Sequence, residues 1–289
     1  MKVLVTGAGG QVGRELQVAL GGAHQVLALA HAELDITDRE LVLQVIGEWA
    51  PEVVVNAAAF TAVDACESEV GKAFAINALG PRHLAEAARL VGAHLVHIST
   101  DYVFDGAREE AYVECDEPRP LSVYGRSKLA GEREVLGQLP GAAIVRSSWI
   151  CGRYGSNMVK TILRLASSPG PLHFVDDQRG CPTFADDLAS SVARLALARL
   201  PGIFHVTNQG PTTWYEFARD VLAAAGDDPL RVEPIKTADL VPPRPAPRPA
   251  NSVLDNAALR LMGWELLPDY HGPLERTVSR LLSRAPAPP

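Results

Sequence analysis

Cysteine is scarce in this chain. Cys66, Cys115, Cys151 and Cys181 are the only four in 289 residues, and they form no CxxC pair and have no histidines at metal-ligand spacing. Scattered thiols of this kind read as reduced cytosolic cysteines, and no metal site is expected from them. No run of eighteen uninterrupted apolar residues occurs, which argues against a membrane-spanning helix. Met1-Lys2-Val3-Leu4-Val5 enters an apolar strand with no signal-peptide-like segment ahead of it, so a cytoplasmic location is expected. Excess positive charge is also missing: the formal net charge is -7, which speaks against nucleic acid as the main partner. Only five lysines occur among the 27 Lys and Arg residues, and aromatics make up 6% of the chain. What remains, 47% hydrophobic and 21% charged, is the composition of a soluble globular protein. The length suits one large α/β domain, or one domain with a smaller lobe.

Short apolar runs alternate with amphipathic stretches through the first half. The pattern predicts strands over 2–6, 25–29, 53–55, 94–98 and 142–146, with helices over 11–20, 38–49, 78–91 and 124–136 between them. Such alternation implies a parallel sheet with helices on both faces, because parallel strands need long crossover connections. The expected fold is α/β: a Rossmann-like doubly wound parallel sheet over residues 1–150, binding NAD(P). Residues 151–289 are expected to form mainly a smaller α/β substrate-binding lobe, with elements free to cross back to the first. Strands are predicted there over 172–175, 203–206 and 232–235, with helices over 157–166, 186–198, 214–224 and 273–283. The proline-rich run Val241-Pro242-Pro243-Arg244-Pro245-Ala246-Pro247-Arg248-Pro249 reads as an extended surface loop, since proline cannot donate to a ladder. The segment 284–289 is expected to fray.

Two motifs carry chemistry. The first is a glycine triplet, Gly7, Gly10 and Gly13, placed directly after the amino-terminal strand. There Gly7 would permit the tight turn, Gly10 the approach of backbone amides to a pyrophosphate, and Gly13 close helix–strand packing. An acid at the end of the second strand would favour NADH by repelling a 2′-phosphate; Ala30 stands there instead, followed by His31. NADPH is therefore the preferred cofactor, with NADH as the alternative, and Asp35-Ile36 is a candidate contact for the adenine. After the third strand, the small residues of Asn56-Ala57-Ala58-Ala59 would let a flat cofactor lie against the backbone.

The second motif is Tyr124 with Lys128. Ser122 is a plausible N-cap for a helix carrying both, and positions i and i+4 share one face. An ammonium beside a phenol favours the phenolate, so Lys128 is expected to lower the Tyr124 pKa and make it a proton donor and acceptor near neutrality.

The glycine triplet, Asn56-Ala57-Ala58-Ala59, Ser99-Thr100-Asp101-Tyr102 and Tyr124-x-x-x-Lys128 together resemble an extended short-chain dehydrogenase/reductase. Further blocks narrow the match: Ser99 to Gly106, Arg146-Ser147-Ser148-Trp149, Asp177-Gln178-x-Gly180-x-Pro182-Thr183, Thr213-Trp214-Tyr215-Glu216-Phe217 and Arg248-Pro249-x-Asn251-Ser252-x-Leu254. These are similar to the dTDP-4-dehydrorhamnose reductase family, which reduces the C4 ketone of dTDP-6-deoxy-L-lyxo-4-hexulose. The resemblance implies Tyr124 as proton donor, Lys128 on the nicotinamide ribose, and Thr100 hydrogen-bonded to the reacting oxygen. It also implies cofactor contacts from Gly10, Gln11, Val12, Asp35, Ile36, Ala59, Phe60, Thr61 and Ile98. The nucleotide-sugar would meet Thr100, Asp101, Tyr124 and Trp149. A dTDP-sugar is thus the expected partner, with the protein a monomer or homodimer. Ile150-Cys151 and Phe60 depart from the family's usual residues, which bears on substrate packing and not on the reaction.

Rival readings remain. A sugar-nucleotide dehydratase of the same fold has an Asp-Glu pair after the threonine, where this chain has Asp101-Tyr102. A 4-epimerase would hold NAD tightly, and Ala30 argues against it. The regulatory subunit of methionine adenosyltransferase resembles the same reductases, so a non-catalytic role is a further alternative, as is a reductase of another nucleotide-linked 4-keto sugar. Asp186 and Asp187, with Glu15, read as the acidic start of a helix in preference to a cation site. His205 reads as a satisfied core histidine, and Trp214 and Phe217 as packing.

Overall fold

The computed structural model describes residues 1–283; the segment 284–289, expected to fray, lies outside them. Six parallel strands form the central sheet: β1 (Lys2–Thr6), β2 (Gln25–Leu29), β3 (Val53–Asn56), β4 (His94–Thr100), β5 (Ala143–Ser147) and β10 (Gly202–His205). Their spatial order is β10-β5-β4-β3-β1-β2. The order reverses between β1 and β3, and ligands of open α/β sheets sit outside the strand carboxyl ends at such a reversal.

The strand sequences explain why both faces are covered. In β1, Val3 and Val5 point to one side and Leu4 to the other, and all three are fully buried. Val3 and Val5 join a core with α1 (Gln11–Leu20) and α8 (Ala185–Ala198), through Leu16, Leu20, Leu188 and Val192. Leu4 joins the opposite core with α2 (Arg39–Trp49) and α5 (Gly80–Val91), through Val42, Ile46 and Leu84. The helix α6 (Val123–Gln138) closes that second face with Val135.

The smaller lobe has its own core of Val159, Ile162, Phe217, Val221, Leu222, Leu274 and Val278. It is built from α7 (Met158–Ala166), α9 (Trp214–Ala224) and α11 (His271–Leu282), with β7 (Leu172–Val175) paired in parallel to β12 (Val232–Ile235). Two-residue strands β6 (Ile150–Cys151), β8 (Arg179–Gly180), β9 (Thr183–Phe184) and β11 (Thr212–Thr213) knit the lobes together. A short α10 (Ala257–Leu261) lies against β10.

The predicted elements are all present, with boundaries shifted by up to two residues. Asp38, for instance, caps α2 by accepting from the Leu41 amide, so the helix begins one residue later than the periodicity implied. Two differences are larger. Short helices α3 (Val63–Ser68) and α4 (Val70–Phe74), with a π-turn at Ala75–Leu79 leading into α5, occupy a stretch assigned no structure. Both helices are too short to show helical periodicity. The strand β10 and helix α8 are elements beyond residue 150 that cross back, into the six-stranded sheet and its cover, a course the reading of the second half leaves open. Finally, the proline-rich run is not a surface loop throughout. Ala246 and Pro249 are buried, and Arg248 makes a two-pronged ion pair with Asp64 of α3, both bonds 2.9 Å. The run is a strap docked across the chain.

Candidate active site

At the reversal point the β1–α1 turn is packed too tightly for side chains. Gly7 has φ +68°, and a Cβ on it would lie 2.6 Å from the Ala57 carbonyl carbon. A Cβ on Gly13 would lie 2.2 Å from the Gly7 oxygen. The turn therefore presses against the end of β3, as the glycine triplet required. Gly10 caps α1 in an extended conformation, with no side chain bonded to the leading amides of the helix. Free amides at the positive end of a helix suit a pyrophosphate. These residues fit a dinucleotide.

Beside them lies a cavity of about 560 Å³. Of the residues singled out from the sequence, it brings together Gly10, Gln11, Val12, Ala59, Thr61, Ile98, Thr100, Asp101, Tyr124, Lys128 and Trp149. Gly7, Gly13, Asp35, Ile36, Ala58 and Phe60 are not on its wall. The two glycines and Ala58 support it from behind, Ala58 through its amide to Asn56 Oδ1 at 3.0 Å. Ile36 is core, 3% exposed. A single Oδ1 of Asp35 accepts both the amide and the hydroxyl of Thr37, which hold its carboxyl below the usual range. Phe60 is clamped by Asn77, whose Oδ1 accepts from the Phe60 amide at 2.8 Å.

Thr100 ends β4 and faces α6. Ser122 caps that helix, accepting from the Gly125 amide at 3.1 Å, and so fixes the rise from Tyr124 to Lys128. Lys128 is 2% exposed, and its ammonium donates to the Ile98 carbonyl at 2.7 Å. The expectation that Lys128 pulls the Tyr124 pKa down is corrected by this geometry. Burial raises the phenol well above its ordinary value, and a hydrogen bond from Thr100 only partly opposes the rise. Lys128 is itself pushed down to about 8 by burial, with Glu132 opposing. Tyr124 thus sits in the cavity as a firmly protonated phenol.

Asp101 is buried as well, and desolvation raises its carboxyl to about 6 against hydrogen bonds from Ser252 and Thr100. The Thr100 hydroxyl donates to its Oδ1 at 2.9 Å, while Oδ2 is buried without a strict hydrogen-bond partner. Trp149 has φ +45°, a rare conformation for a bulky residue that is characteristic of functional sites. Its indole stacks on that of Trp214, with centroids 3.5 Å apart and planes 8° from parallel. Trp214 was read as packing with Phe217. Both pack in the smaller lobe's core, edge-on with ring centroids 6.1 Å apart, and Trp214 in addition lines the cavity. Tyr102 also lines it, edge-on to Tyr124 at 5.6 Å and within reach of the strap's Arg248. Helical spacing shows the packing of Trp214 but not its other face, which meets the distant Trp149.

The other groups weighed from the sequence have ordinary partners. Glu15 pairs with Arg153, and Asp186 and Asp187 pair with Arg276 at the start of α8. His205, expected as a satisfied core histidine, is only half satisfied: it is fully buried and pushed down to about 3 by burial, with Nδ1 at 3.1 and 3.0 Å from the Tyr112 and Asp255 carbonyls, but Nε2 has no hydrogen-bond partner among the described residues. No helix among the described residues is long and apolar enough to cross a membrane.

Residues 1–283 match the family described as RmlD substrate binding domain. The chain is 45% identical over 294 residues to a dTDP-4-dehydrorhamnose reductase of Streptomyces griseus, with 99% of this chain and 95% of that one covered. It is 42% identical to a probable dTDP-4,6-dihydroxy-2-methyloxan-3-one 4-ketoreductase of Streptomyces antibioticus, covering 98% and 96%. Among solved structures, dTDP-4-dehydrorhamnose reductase from Bacillus anthracis in complex with NADP superposes with a TM-score of 0.93. That protein is 40% identical, over 96% of this chain and 99% of that one.

Proposed function

The chain belongs to the dTDP-4-dehydrorhamnose reductase family, and from that premise we propose that it reduces the C4 ketone of dTDP-6-deoxy-L-lyxo-4-hexulose to give dTDP-L-rhamnose. The observation that carries the reading is one cavity walled by Thr100, Tyr124 and Lys128 on one side and by the start of α1 on the other. The glycine turn and the uncapped amides of α1 would hold NADPH, which would supply the hydride for C4. The roles of the side chains follow from their settings. Tyr124, protonated at cellular pH, donates its proton to the C4 oxygen as that oxygen gains charge. Thr100, whose hydroxyl donates to Asp101 Oδ1 in the free protein, turns that one proton to the same oxygen when the sugar is bound. Lys128 supplies a positive charge beside the phenolate left behind, and with Ile98 and Thr61 lines the cofactor's side of the cavity. Trp149 and Trp214 form an aromatic wall for the sugar nucleotide. In this reading residues 1–150, with α8 and β10, hold the cofactor, and most of residues 151–289 close on the sugar.

A second reading rests on the 42% identical Streptomyces antibioticus relative: reduction of a different dTDP-linked keto sugar at the same site. NADPH oxidation assayed with dTDP-6-deoxy-L-lyxo-4-hexulose, with product identified by chromatography, separates the two. Rapid oxidation with dTDP-L-rhamnose formed supports the first. Silence with this sugar but turnover with another dTDP-keto sugar supports the second, and silence with both leaves a binding role. We place the protein in the cytoplasm as a monomer or homodimer, which sedimentation velocity distinguishes.

A further inference from the structure

Behind Lys128 lies a buried chain of hydrogen bonds whose polarity can be read from one end. The Ala58 amide can only donate, so the atom of Asn56 that it meets at 3.0 Å must be the carbonyl Oδ1. That oxygen also accepts from the Thr6 hydroxyl at 2.7 Å. The other end of the Asn56 amide is therefore Nδ2, a donor, and it lies 2.9 Å from His97 Nδ1. A neutral imidazole that accepts at Nδ1 carries its proton on Nε2. His97 is neutral, because it is wholly buried and faces a cation, both of which push its pKa well down. Its Nε2–H then points at the Nζ of Lys128, 3.5 Å away. An ammonium has three donors and no lone pair to receive that proton, whereas a neutral amine has one. Every group in the chain is below 5% exposed among Thr6, Asn56, His97 and Lys128, so solvent does not relieve the conflict.

We propose that His97, held as its Nε2–H tautomer by Asn56, is a positioning residue that sets the proton affinity of Lys128 by stabilising the neutral amine. The opposing influence is Glu132, on the same helix as Lys128, which favours the ammonium. Lys128 is thus balanced between a donor on β4 and an anion on α6. The other charged or titratable neighbours are Tyr124 on α6, Asp101 after β4, and Arg146 on β5. Arg146 is itself paired with Glu132 at 2.7 Å. Burial of Lys128 acts in the same direction as His97 and brings its pKa to about 8. The consequence is a lysine that can give up its proton when the phenolate of Tyr124 needs one, with a hydrogen-bond donor ready for the amine that results.

The first test needs no substrate. Nitrogen-15 correlation spectra of the whole protein labelled at histidine report the tautomer of each ring, with His97 assigned by the loss of its signal in His97→Phe. The Nε2–H form, unchanged between pH 6 and pH 10, is expected. The Nδ1–H form or an imidazolium overturns the proposal. The second test rests on the reductase reading and uses the pH dependence of kcat/KM at saturating NADPH. If the ammonium is the active form, the alkaline limb reports the Lys128 pKa, and it should move up by about one unit in His97→Phe, a tenfold change in proton affinity. A variant that folds and turns over with an unmoved limb overturns the role of His97. Absence of activity in the parent protein overturns the reductase reading and leaves the spectroscopic test standing.

Discussion

Replacing Glu132 by Gln probes both the stability of the fold and the charge of Lys128. Glu132 and Arg146 face each other with side chains 3% and 2% exposed. Three contacts join them: Nε to Oε1 at 3.0 Å, Nε to Oε2 at 3.2 Å and Nη2 to Oε2 at 2.7 Å. The Ser99 hydroxyl donates to Oε1 as well, and Arg146 lies 5.2 Å from the Phe104 ring centroid. Glutamine keeps the volume and one acceptor but leaves the guanidinium charge unpaired in the interior. Breaking a buried pair from one side costs about 3–5 kcal/mol, against a total stability of roughly 5–15 kcal/mol. For a chain near this size that is a fall in Tm of roughly 6–20 °C. Glu132→Met with Arg146→Met removes both charges and should recover most of the loss, since the pair contributes little net stability over apolar packing. The same substitution removes the anion that favours the Lys128 ammonium. The Lys128 pKa should therefore fall below about 8, and the alkaline limb of kcat/KM should move down, opposite to His97→Phe. Urea unfolding and a pH–rate profile on the same preparation read both. A loss under about 1 kcal/mol from Glu132→Gln, or a double variant less stable than the single, would refute the buried-pair reasoning. An unmoved limb would refute the coupling to Lys128.

Tyr124→Phe should fold and bind NADPH normally yet lose roughly 10²–10⁴-fold in turnover, and a near-normal rate would remove Tyr124 as the acid. Asp101→Asn bears on a carboxyl whose folded pKa, about 6, lies above the ordinary value of 3.8. The folded state then favours the neutral acid, a contribution fully present below pH 3.8 and lost as pH rises through 6. Urea unfolding should accordingly find Asp101→Asn more stable than the parent at pH 8 by up to about 3 kcal/mol, with no difference below pH 4; equal stability at pH 8 would contradict it. Glu33 folds back so that its carboxylate accepts from the Ala30 amide at 2.8 Å, at the end of β2. Removing that charge in Glu33→Gln should raise the NADPH-to-NADH ratio of kcat/KM by roughly twofold to fivefold, as expected for one exposed charge, and a ratio that falls would place the 2′-phosphate elsewhere. Trp214→Ala should raise KM for the sugar nucleotide while leaving the Kd of NADPH unchanged, which isothermal titration and initial rates resolve together.

What could be read from the sequence was whatever depends on near neighbours along the chain. The β1–glycine–α1 unit, the Ser122 cap and the Tyr124-to-Lys128 rise each occupy a few consecutive residues, and all appear where the spacing put them. The strands were visible because burial on both faces leaves them continuously apolar, as in Val53-Val54-Val55. Contacts set by distant segments stayed hidden. The bond between Arg248 and Asp64 spans 184 positions, and an arginine in a proline-rich run gives no sign of the acid it will meet. Trp214 and Phe217 share a helical spacing and both pack in the lobe's core, but the spacing gives no sign that Trp214 also reaches the cavity.

The Tyr124 pKa is where local reasoning went astray, and the reason clarifies the chemistry. Spacing along a helix says that a lysine and a tyrosine share a face; it does not say where the ammonium points. Lys128 is drawn 2.7 Å from the Ile98 carbonyl, and the phenol is left to burial, which strengthens its hold on its proton. For an enzyme that begins by removing a proton from an alcohol, that would be a handicap, because the phenolate would be scarce at cellular pH. A reductase begins from the other side. Its acid must arrive protonated and release the proton only when the ketone oxygen has become strongly basic, which a phenol of raised pKa still does, since an alkoxide is more basic than a phenolate. In the proposed mechanism the cost falls on the next turnover, when Tyr124 must be protonated again, and a lysine held near pKa 8 between His97 and Glu132 would be placed to meet it. The site's protons are thus arranged for reduction, with the donor full and its neighbour ready to refill it.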